Sequence, residues 1–165
     1  MDTKKYINDY VEKMVEAYNR NGSIILGYDF DDTVHSDKEF SSVYVYEVQR
    51  IIKEAYNTGA FRFILITCRE GEALVSAEHY LHKQGLPYNS LNQNLPWSIP
   101  DDPRKIYCNL MLDDKCGLPT SLEILRGTID RITEIQHFDG VRERLSKFIG
   151  DPDRNDDQYD ESKGN

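Results

Sequence analysis

Two groups of carboxylates follow two apolar segments of the chain, and this arrangement restricts the fold more than any other feature. The first group is Asp29-Phe30-Asp31-Asp32-Thr33, directly after the apolar run 23–28, and the second is Asp113-Asp114, directly after the run 106–112. Both runs are rich in β-branched, aromatic and large aliphatic residues, which is typical of buried strands. If these strands are parallel neighbours, their carboxyl ends place all of the acids at one edge of a sheet.

Carboxylates gathered at one sheet edge repel one another unless a cation lies between them. The alternative is that these acids cap helices or fill turns, and for either group alone that explanation is sufficient. The two groups together, with Thr67 and several basic residues near other strand ends, favour a site for a divalent metal.

Helical and strand patterns alternate along the chain. Helices are predicted over 3–21, 44–55, 74–81, 122–132 and 141–149, and strands over 23–28, 61–66 and 106–112, with a further short strand around 85–88. The segment from His137 to Gly140 is expected to separate the last two helices. Repeated strand-helix units with right-handed crossovers give a parallel sheet with helices on its faces. The predicted fold is therefore α/β, a three-layer α/β/α Rossmann-like architecture with an extra N-terminal helix.

The size and charge of the chain limit the number of domains and the class of binding partner. A chain of 165 residues with 39% hydrophobic content suits one domain, which we place at 1–149 with its core over 23–149. The acidic segment 150–165 is expected to be a disordered tail. The formal net charge of -9 argues against a general affinity for the nucleic acid backbone.

Cysteine usage points to a reducing compartment. The three cysteines, Cys68, Cys108 and Cys116, are an odd number without a C-x-x-C spacing, and no secretory signal or long apolar span is evident. We therefore expect a cytoplasmic protein without a membrane partner.

Other strand ends carry groups that suit phosphate. The Thr67 hydroxyl and backbone N–H groups near a helix start could hold a phosphate oxygen, although an ordinary helix cap is the alternative. A cation is needed to balance the carboxylates and an incoming phosphoryl group. Lys105 is the preferred candidate, and Lys115 and Arg69 remain alternatives.

Taken together, these residues resemble the motifs of the haloacid dehalogenase superfamily of aspartate-nucleophile phosphohydrolases. The first motif, a hydrophobic strand followed by Asp-x-Asp-x-Thr, is similar to the segment from Asp29 to Thr33, in which Asp32 stands where the family often has Gly. The second motif resembles Thr67, the third resembles Lys105 by position, and the fourth resembles Asp113-Asp114. The resemblance covers roughly Ser23 to Arg126.

The resemblance implies a magnesium-dependent phosphomonoester hydrolase that passes through an aspartyl-phosphate. Asp29 is then the nucleophile, and Asp31 is the general acid and base. Thr67 and Lys105 would hold and neutralise the transferred group. Magnesium would be bound by Asp29, by the backbone carbonyl of Asp31, and by Asp113 with or without Asp114.

The short gaps between the motifs bear on the choice of substrate. Neither gap between the motifs has room for the cap domain that selects substrates in many members of the superfamily, so the resemblance implies an open site. Phosphorylated small molecules, nucleotides, phosphorylated macromolecules and substrates enclosed by a partner subunit all remain open. The candidate rim residues are Asp32, Thr33, Arg69 and Trp97. Trp97 could stack on a ring or could anchor its loop to the core.

Three further alternatives stay open from the sequence. Clustered carboxylates also hold the two metals of a nuclease. A non-catalytic protein could keep the site for binding metal or phosphate. The N-terminal helix could cover the sheet or form a homodimer surface, and packing within the chain is the preferred interpretation.

Overall fold

A computed structural model of the chain describes residues 2–37, 42–97 and 105–149. The helices are α1 (Thr3–Asn21), α2 (Ser42–Asn57), α3 (Gly71–Gln84) and α4 (Leu118–Ile149). The strands are β1 (Ile24–Asp29), β2 (Phe61–Ile66), β3 (Ser90–Leu91) and β4 (Leu110–Leu112). The chain divides into two compact units, Met1–Ile132 and Thr133–Asn165, and the second contributes the last part of α4 to the described residues. The predicted acidic tail lies outside the described residues.

The four strands form one parallel sheet in the order β3-β2-β1-β4. Asp29 at the end of β1 is level with Ile66 at the end of β2, and Tyr28 is level with Leu112 at the end of β4. The carboxyl ends of β1, β2 and β4 therefore meet at one edge, with β1 in the middle. The predicted α/β class, with a parallel sheet flanked by helices, is confirmed.

One face of the sheet carries the main core. The side chains of Ile24, Leu26 and Tyr28 alternate along β1 toward this face and are fully buried against the apolar stripes of the helices. Burial of each such side chain contributes about 1.5–3 kcal/mol. The hydroxyl of Tyr28 donates a hydrogen bond to the carbonyl of Pro87 (2.9 Å), so its one polar group is satisfied.

The opposite face carries a smaller core. Ile25 of β1 and Ile64 of β2 pack there with Leu95, which belongs to the connection between β3 and β4. Ile106 and Cys108, from the end of the same connection, add partly buried side chains. Within the described residues, this connection supplies the cover of the second face.

The N-terminal helix packs within the chain, as preferred from the sequence. Its predicted range of 3–21 is confirmed, with Asp2 as the N-cap and Gly22 in the left-handed conformation (φ 70°) after its last residue. Val11 and Met14 are buried in the main core. None of the described helices combines the length and the apolar content that a membrane crossing requires.

The predicted break between two C-terminal helices is wrong. Helix α4 runs from Leu118 to Ile149 without an interruption at Gly140. A single glycine costs a helix only about 1 kcal/mol relative to alanine, and no proline follows to stop it. The segment from His137 to Gly140 is therefore helical.

Asparagine side chains extend the short outer strands. The Asn89 side chain accepts a hydrogen bond from the backbone N–H of Phe63 (2.8 Å), just before the two-residue strand β3. The Asn109 side chain does the same for the backbone N–H of Ile25 (2.8 Å), just before β4. These amides satisfy strand donors that the short neighbouring strands do not reach.

Replacing Asn89 with alanine should lower the free energy of unfolding by about 1–3 kcal/mol, because the N–H of buried Phe63 loses its acceptor. Urea unfolding followed by circular dichroism measures this change. The matched control is Asn57→Ala at the exposed end of α2, which should change stability by about 0.5 kcal/mol or less. Equal losses in the two variants would contradict the role of the amide.

Candidate metal and phosphate site

Three carboxylates from distant parts of the sequence meet at the carboxyl edge of the sheet. One oxygen each from Asp29, Asp113 and Asp114 lie within 4.8 Å of one another. Asp29 and Asp113 are half-buried, and Asp114 is exposed. The strand pairing produces this meeting, because β1 and β4 are parallel neighbours that end at the same level.

A buried threonine joins the two acidic segments. The hydroxyl of Thr33 accepts a hydrogen bond from the backbone N–H of Asp114 (3.0 Å), and Thr33 is fully buried. Thr33 therefore lies beneath the site and links its two halves, which corrects its expected place on the rim. The Asp113 side chain accepts from the backbone N–H of Lys115 (2.8 Å), which holds the following turn in place.

The electrostatics of the cluster reflect crowded negative charge. Burial raises the pKa of the Asp29 carboxyl to about 6, and the neighbouring carboxylates add to the shift. Those neighbours are Asp113, Asp31 and Asp114. The charge of Asp113 likewise raises the pKa of the Cys116 thiol. A cation among these carboxylates would reduce the part of both shifts that comes from the neighbouring charges.

Asp31 lies beside this cluster and is paired with Arg69. The guanidinium Nη2 of Arg69 is 2.6 Å from Oδ1 of Asp31, and its Nε is 3.1 Å from Oδ2. The guanidinium also lies over the ring of Phe30, 4.6 Å from its centroid. Hydrogen bonding to Asp31 raises the pKa of Arg69. Within the described residues, the group of carboxylates with metal-ligand spacing does not include Asp31.

Thr67 lies at the end of β2, and its backbone is held on both sides by Asn92. The Asn92 side chain accepts from the N–H of Thr67 (2.9 Å) and donates to its carbonyl (2.7 Å). The Thr67 hydroxyl accepts from the backbone N–H of Arg69 (3.2 Å). Thr67 is 5% exposed, so little freedom remains for this turn. Sequence reasoning missed this contact.

Asp32 adopts a left-handed backbone conformation, with φ 55°. Glycine adopts this conformation at no steric cost, and Asp is among the other residues that tolerate it. The Asp32 side chain accepts a hydrogen bond from the Ser36 hydroxyl (2.8 Å) and so closes its own turn.

The segment after β1 also borders a small cavity of about 200 Å³ beside Asp31. Its lining residues are Asp31, Asp32, His35, Ser36 and Asp37. Three of the five are acids, so the cavity disfavours a ligand group that carries further negative charge.

Contacts that sequence reasoning did not identify hold this segment in place. The amide of buried Gln49 in α2 donates to the carbonyl of Val34 (2.8 Å) and to the hydroxyl of Tyr80 in α3 (2.9 Å). The His35 ring stacks on Phe30 and meets Tyr80 edge-on, with centroid distances of 5.1 and 4.7 Å. The sequence signals this network only through Gln49, a polar residue at a position of α2 that faces the core.

Trp97 lies at the opposite edge of the sheet, which corrects its expected place on the rim. It lines a cavity with Asn21 and Ser23, the residues that lead into β1. The reason is the path of the chain after β3. Asn92 turns the backbone with φ 48°, and the connection then crosses the second face, where Leu95 packs.

Lys105 belongs to the connection between β3 and β4, as Trp97 does. Its carbonyl accepts a hydrogen bond from the Asn94 side chain (2.7 Å), which also accepts from the backbone N–H of Tyr107 (2.7 Å). Tyr107 lines the cavity that contains Trp97. Of the three basic candidates, Arg69 has a direct contact with a predicted catalytic acid, and the backbone N–H of Lys115 donates to Asp113.

Replacing Asp29 with asparagine should stabilise the metal-free protein at neutral and higher pH. The pKa of about 6 in the folded chain exceeds the ordinary value of 3.8, so the folded state holds the proton more tightly than the unfolded state. The wild-type chain therefore loses stability as pH rises from about 3.8 to about 6, and the variant does not. Thermal unfolding with chelator, at pH 4 and pH 8, measures the difference.

Asp9→Asn is the matched control, because Asp9 is exposed on α1 and belongs to no carboxylate group with ligand spacing among the described residues. It should leave the pH dependence unchanged. A stabilisation by Asp29→Asn that is equally large at pH 4 and pH 8 would contradict the assignment of the shift to Asp29.

Comparisons with known proteins add little to this description. No protein-family model matches the chain, and no curated protein matches it. A solved structure of a conserved protein from Bacteroides thetaiotaomicron is similar to 56% of this chain and 77% of its own, with 24% sequence identity and a TM-score of 0.43. A likeness at this TM-score supports no inference about function.

Proposed function

We propose that the chain is a magnesium-dependent phosphomonoester hydrolase in which Asp29 is the nucleophile. The observation that carries this proposal is the meeting of Asp29 with Asp113 and Asp114 at the end of β1. Thr67 and Arg69 follow the neighbouring strand β2 at the same edge. A carboxylate nucleophile, a metal-ligand set and a cationic phosphate partner are the parts that phosphoryl transfer requires.

The donor set suits a hard divalent cation. Asp29, Asp113 and Asp114 would hold the ion through carboxylate oxygens, the ligands that magnesium prefers. The raised pKa of Asp29 is consistent with this fit, because burial raises it first and the charges of the neighbouring carboxylates, which a cation would balance, add to the shift. When bound, magnesium supplies positive charge against the oxygens of the phosphoryl group.

Asp29 carries the first chemical step. One of its carboxylate oxygens attacks phosphorus, and the bond from phosphorus to the leaving oxygen breaks as the new bond forms. The Thr67 hydroxyl accepts from the N–H of Arg69, so its own proton is available for a phosphoryl oxygen. The clamp by Asn92 orients that hydroxyl in advance.

Asp31 and Arg69 would act together in proton transfer. A bound phosphoryl group competes with Asp31 for the guanidinium of Arg69, and this releases Asp31 to carry a proton. Asp31 gives that proton to the leaving oxygen. It then takes a proton from the water that attacks the aspartyl-phosphate, which regenerates Asp29 and releases phosphate.

The acidic cavity beside Asp31 bears on the substrate. A leaving group at this position contacts three carboxylates, so a neutral or cationic group is favoured over one with further phosphates. Nucleoside monophosphates and singly phosphorylated macromolecules meet this condition. Nucleoside diphosphates and sugar bisphosphates do not.

The nuclease alternative has less support. It needs ligands for two metals. Among the residues that the structure describes, one group of three acids has ligand spacing.

Phosphate release should depend on magnesium and on Asp29. We expect a panel of nucleoside mono- and diphosphates, sugar phosphates and phosphopeptides to show turnover with magnesium and none with chelator, with monophosphates preferred. Asp29→Asn should reduce turnover by roughly three orders of magnitude or more. The Asp9→Asn variant should match the wild type. Turnover that survives in Asp29→Asn would exclude Asp29 as the nucleophile. The absence of turnover across the panel would favour a non-catalytic binding protein.

Arg69 should matter to catalysis far more than Lys105. Arg69→Ala should lower kcat/KM by roughly 100-fold, because the phosphoryl charge loses its partner, and Arg69→Lys should restore part of the loss. Lys105→Ala should change kcat/KM less than about threefold, because the described contact of Lys105 is with Asn94 and not with a carboxylate. The reverse order of these effects would assign the phosphate cation to Lys105.

A further inference from the structure

A cavity of about 280 Å³ lies at the amino end of β1, at the sheet edge opposite the carboxylates. Its lining residues are Asn21, Ser23, Ile25, Trp97, Tyr107 and Asn109. The length of β1 separates this edge from Asp29 by roughly 17 Å, so one small ligand cannot contact both places. The cavity shares no residue with the proposed catalytic site.

Two exposed aromatic rings share this concave surface. Trp97 is 64% exposed and Tyr107 is 38% exposed. A single exposed aromatic residue is ordinary, but two that line one cavity form a surface suited to stacking. The six described residues that line it carry no formal charge, so this part of the cavity offers no ionic partner to a phosphate group.

The Tyr107 ring and the backbone that leads to Trp97 are held in place before any ligand binds. The Asn109 amide donates to the Tyr107 hydroxyl (3.0 Å), and its oxygen accepts from the backbone N–H of Ile25 in β1 (2.8 Å). Leu95 is buried in the core of the second face and so anchors the segment that carries Trp97. Binding to a surface that is already ordered costs less conformational entropy.

The remaining polar groups are few and suit the edge of a heterocycle. Within the described part of the chain, the side chains of Asn21 and Ser23 make no protein hydrogen bond, so both can serve a ligand. An asparagine amide offers a donor and an acceptor side by side, the pattern that pairs with the edge of adenine. A sugar ring would need a larger set of hydrogen-bonding groups for its hydroxyls.

We propose that this cavity binds a nucleobase, stacked against Trp97 and Tyr107, with Asn21 and Ser23 at its polar edge. The volume lies at the lower end of ligand pockets, which begin at about 300 Å³, and so admits one ring system rather than a large ligand. Both a free nucleoside and a base of a single strand present this chemistry. Binding here does not depend on the proposed hydrolase activity.

Trp97 is the one tryptophan of the sequence, so its fluorescence reports on this cavity directly. Adenosine is the probe, because it lacks phosphate, and chelator keeps metal out of the experiment. Excitation at the red edge of tryptophan absorption avoids the absorption of adenosine. We expect saturable quenching, and at least roughly fivefold weaker binding in Tyr107→Ala, as expected for the loss of one stacking partner.

Three variants separate stacking from folding. Tyr107→Phe keeps the ring and should retain binding, and Tyr44→Ala, which removes an exposed tyrosine on α2, should also retain it. Asp29→Asn should bind adenosine as the wild type does, whether or not the chain proves to be a hydrolase. An oligoadenylate that binds more tightly than adenosine would identify a single strand as the source of the base.

No saturable change with adenosine would overturn the proposal. Equal affinity in Tyr107→Ala would overturn it as well, because stacking would then be absent. Quenching by glucose in place of adenosine would assign the cavity to carbohydrate.

Discussion

Repulsion among carboxylates at one sheet edge is the constraint around which the rest of the site is arranged. Asp29 and Asp113 are half-buried at the ends of adjacent strands, and nothing in a parallel sheet moves them apart. Contacts around the site position or neutralise individual acids. Thr33 positions the backbone of Asp114, and Arg69 neutralises Asp31 beside the cluster. Burial raises the pKa of Asp29, and the charges of the neighbouring carboxylates add to the shift.

Much of the fold could be predicted because it follows from local patterns. The ranges of α1 and β2 agree with the sequence prediction, since apolar periodicity, caps and glycine stops act over a few residues. The carboxylate edge followed from the same reasoning, because parallel strands place their carboxyl ends together. The uninterrupted helix α4 was not predicted, since a glycine weakens a helix without ending it.

The positions of Trp97 and Lys105 could not be predicted in this way. They depend on the path of the connection between β3 and β4, and that path depends on Leu95 packing against Ile25 and Ile64. A contact between residues so far apart in sequence leaves no local signal. The same limit applies to Asn92, whose two hydrogen bonds to Thr67 require that β3 already lies beside β2. Sequence motifs thus located the acids better than the partners that hold them.

The hydrogen bond between Thr33 and Asp114 has a consequence for biosynthesis. It joins the second strand end of the site to the first across 81 positions of sequence. A ribosome-bound chain that has released only β1, β2 and β3 carries Asp29 without Asp113 or Asp114, and so lacks the ligand set. A divalent ion at the proposed site would therefore have no role in the early steps of folding. It would bind only chains in which the last strand has joined the sheet, so metal affinity would be a measure of completed folding.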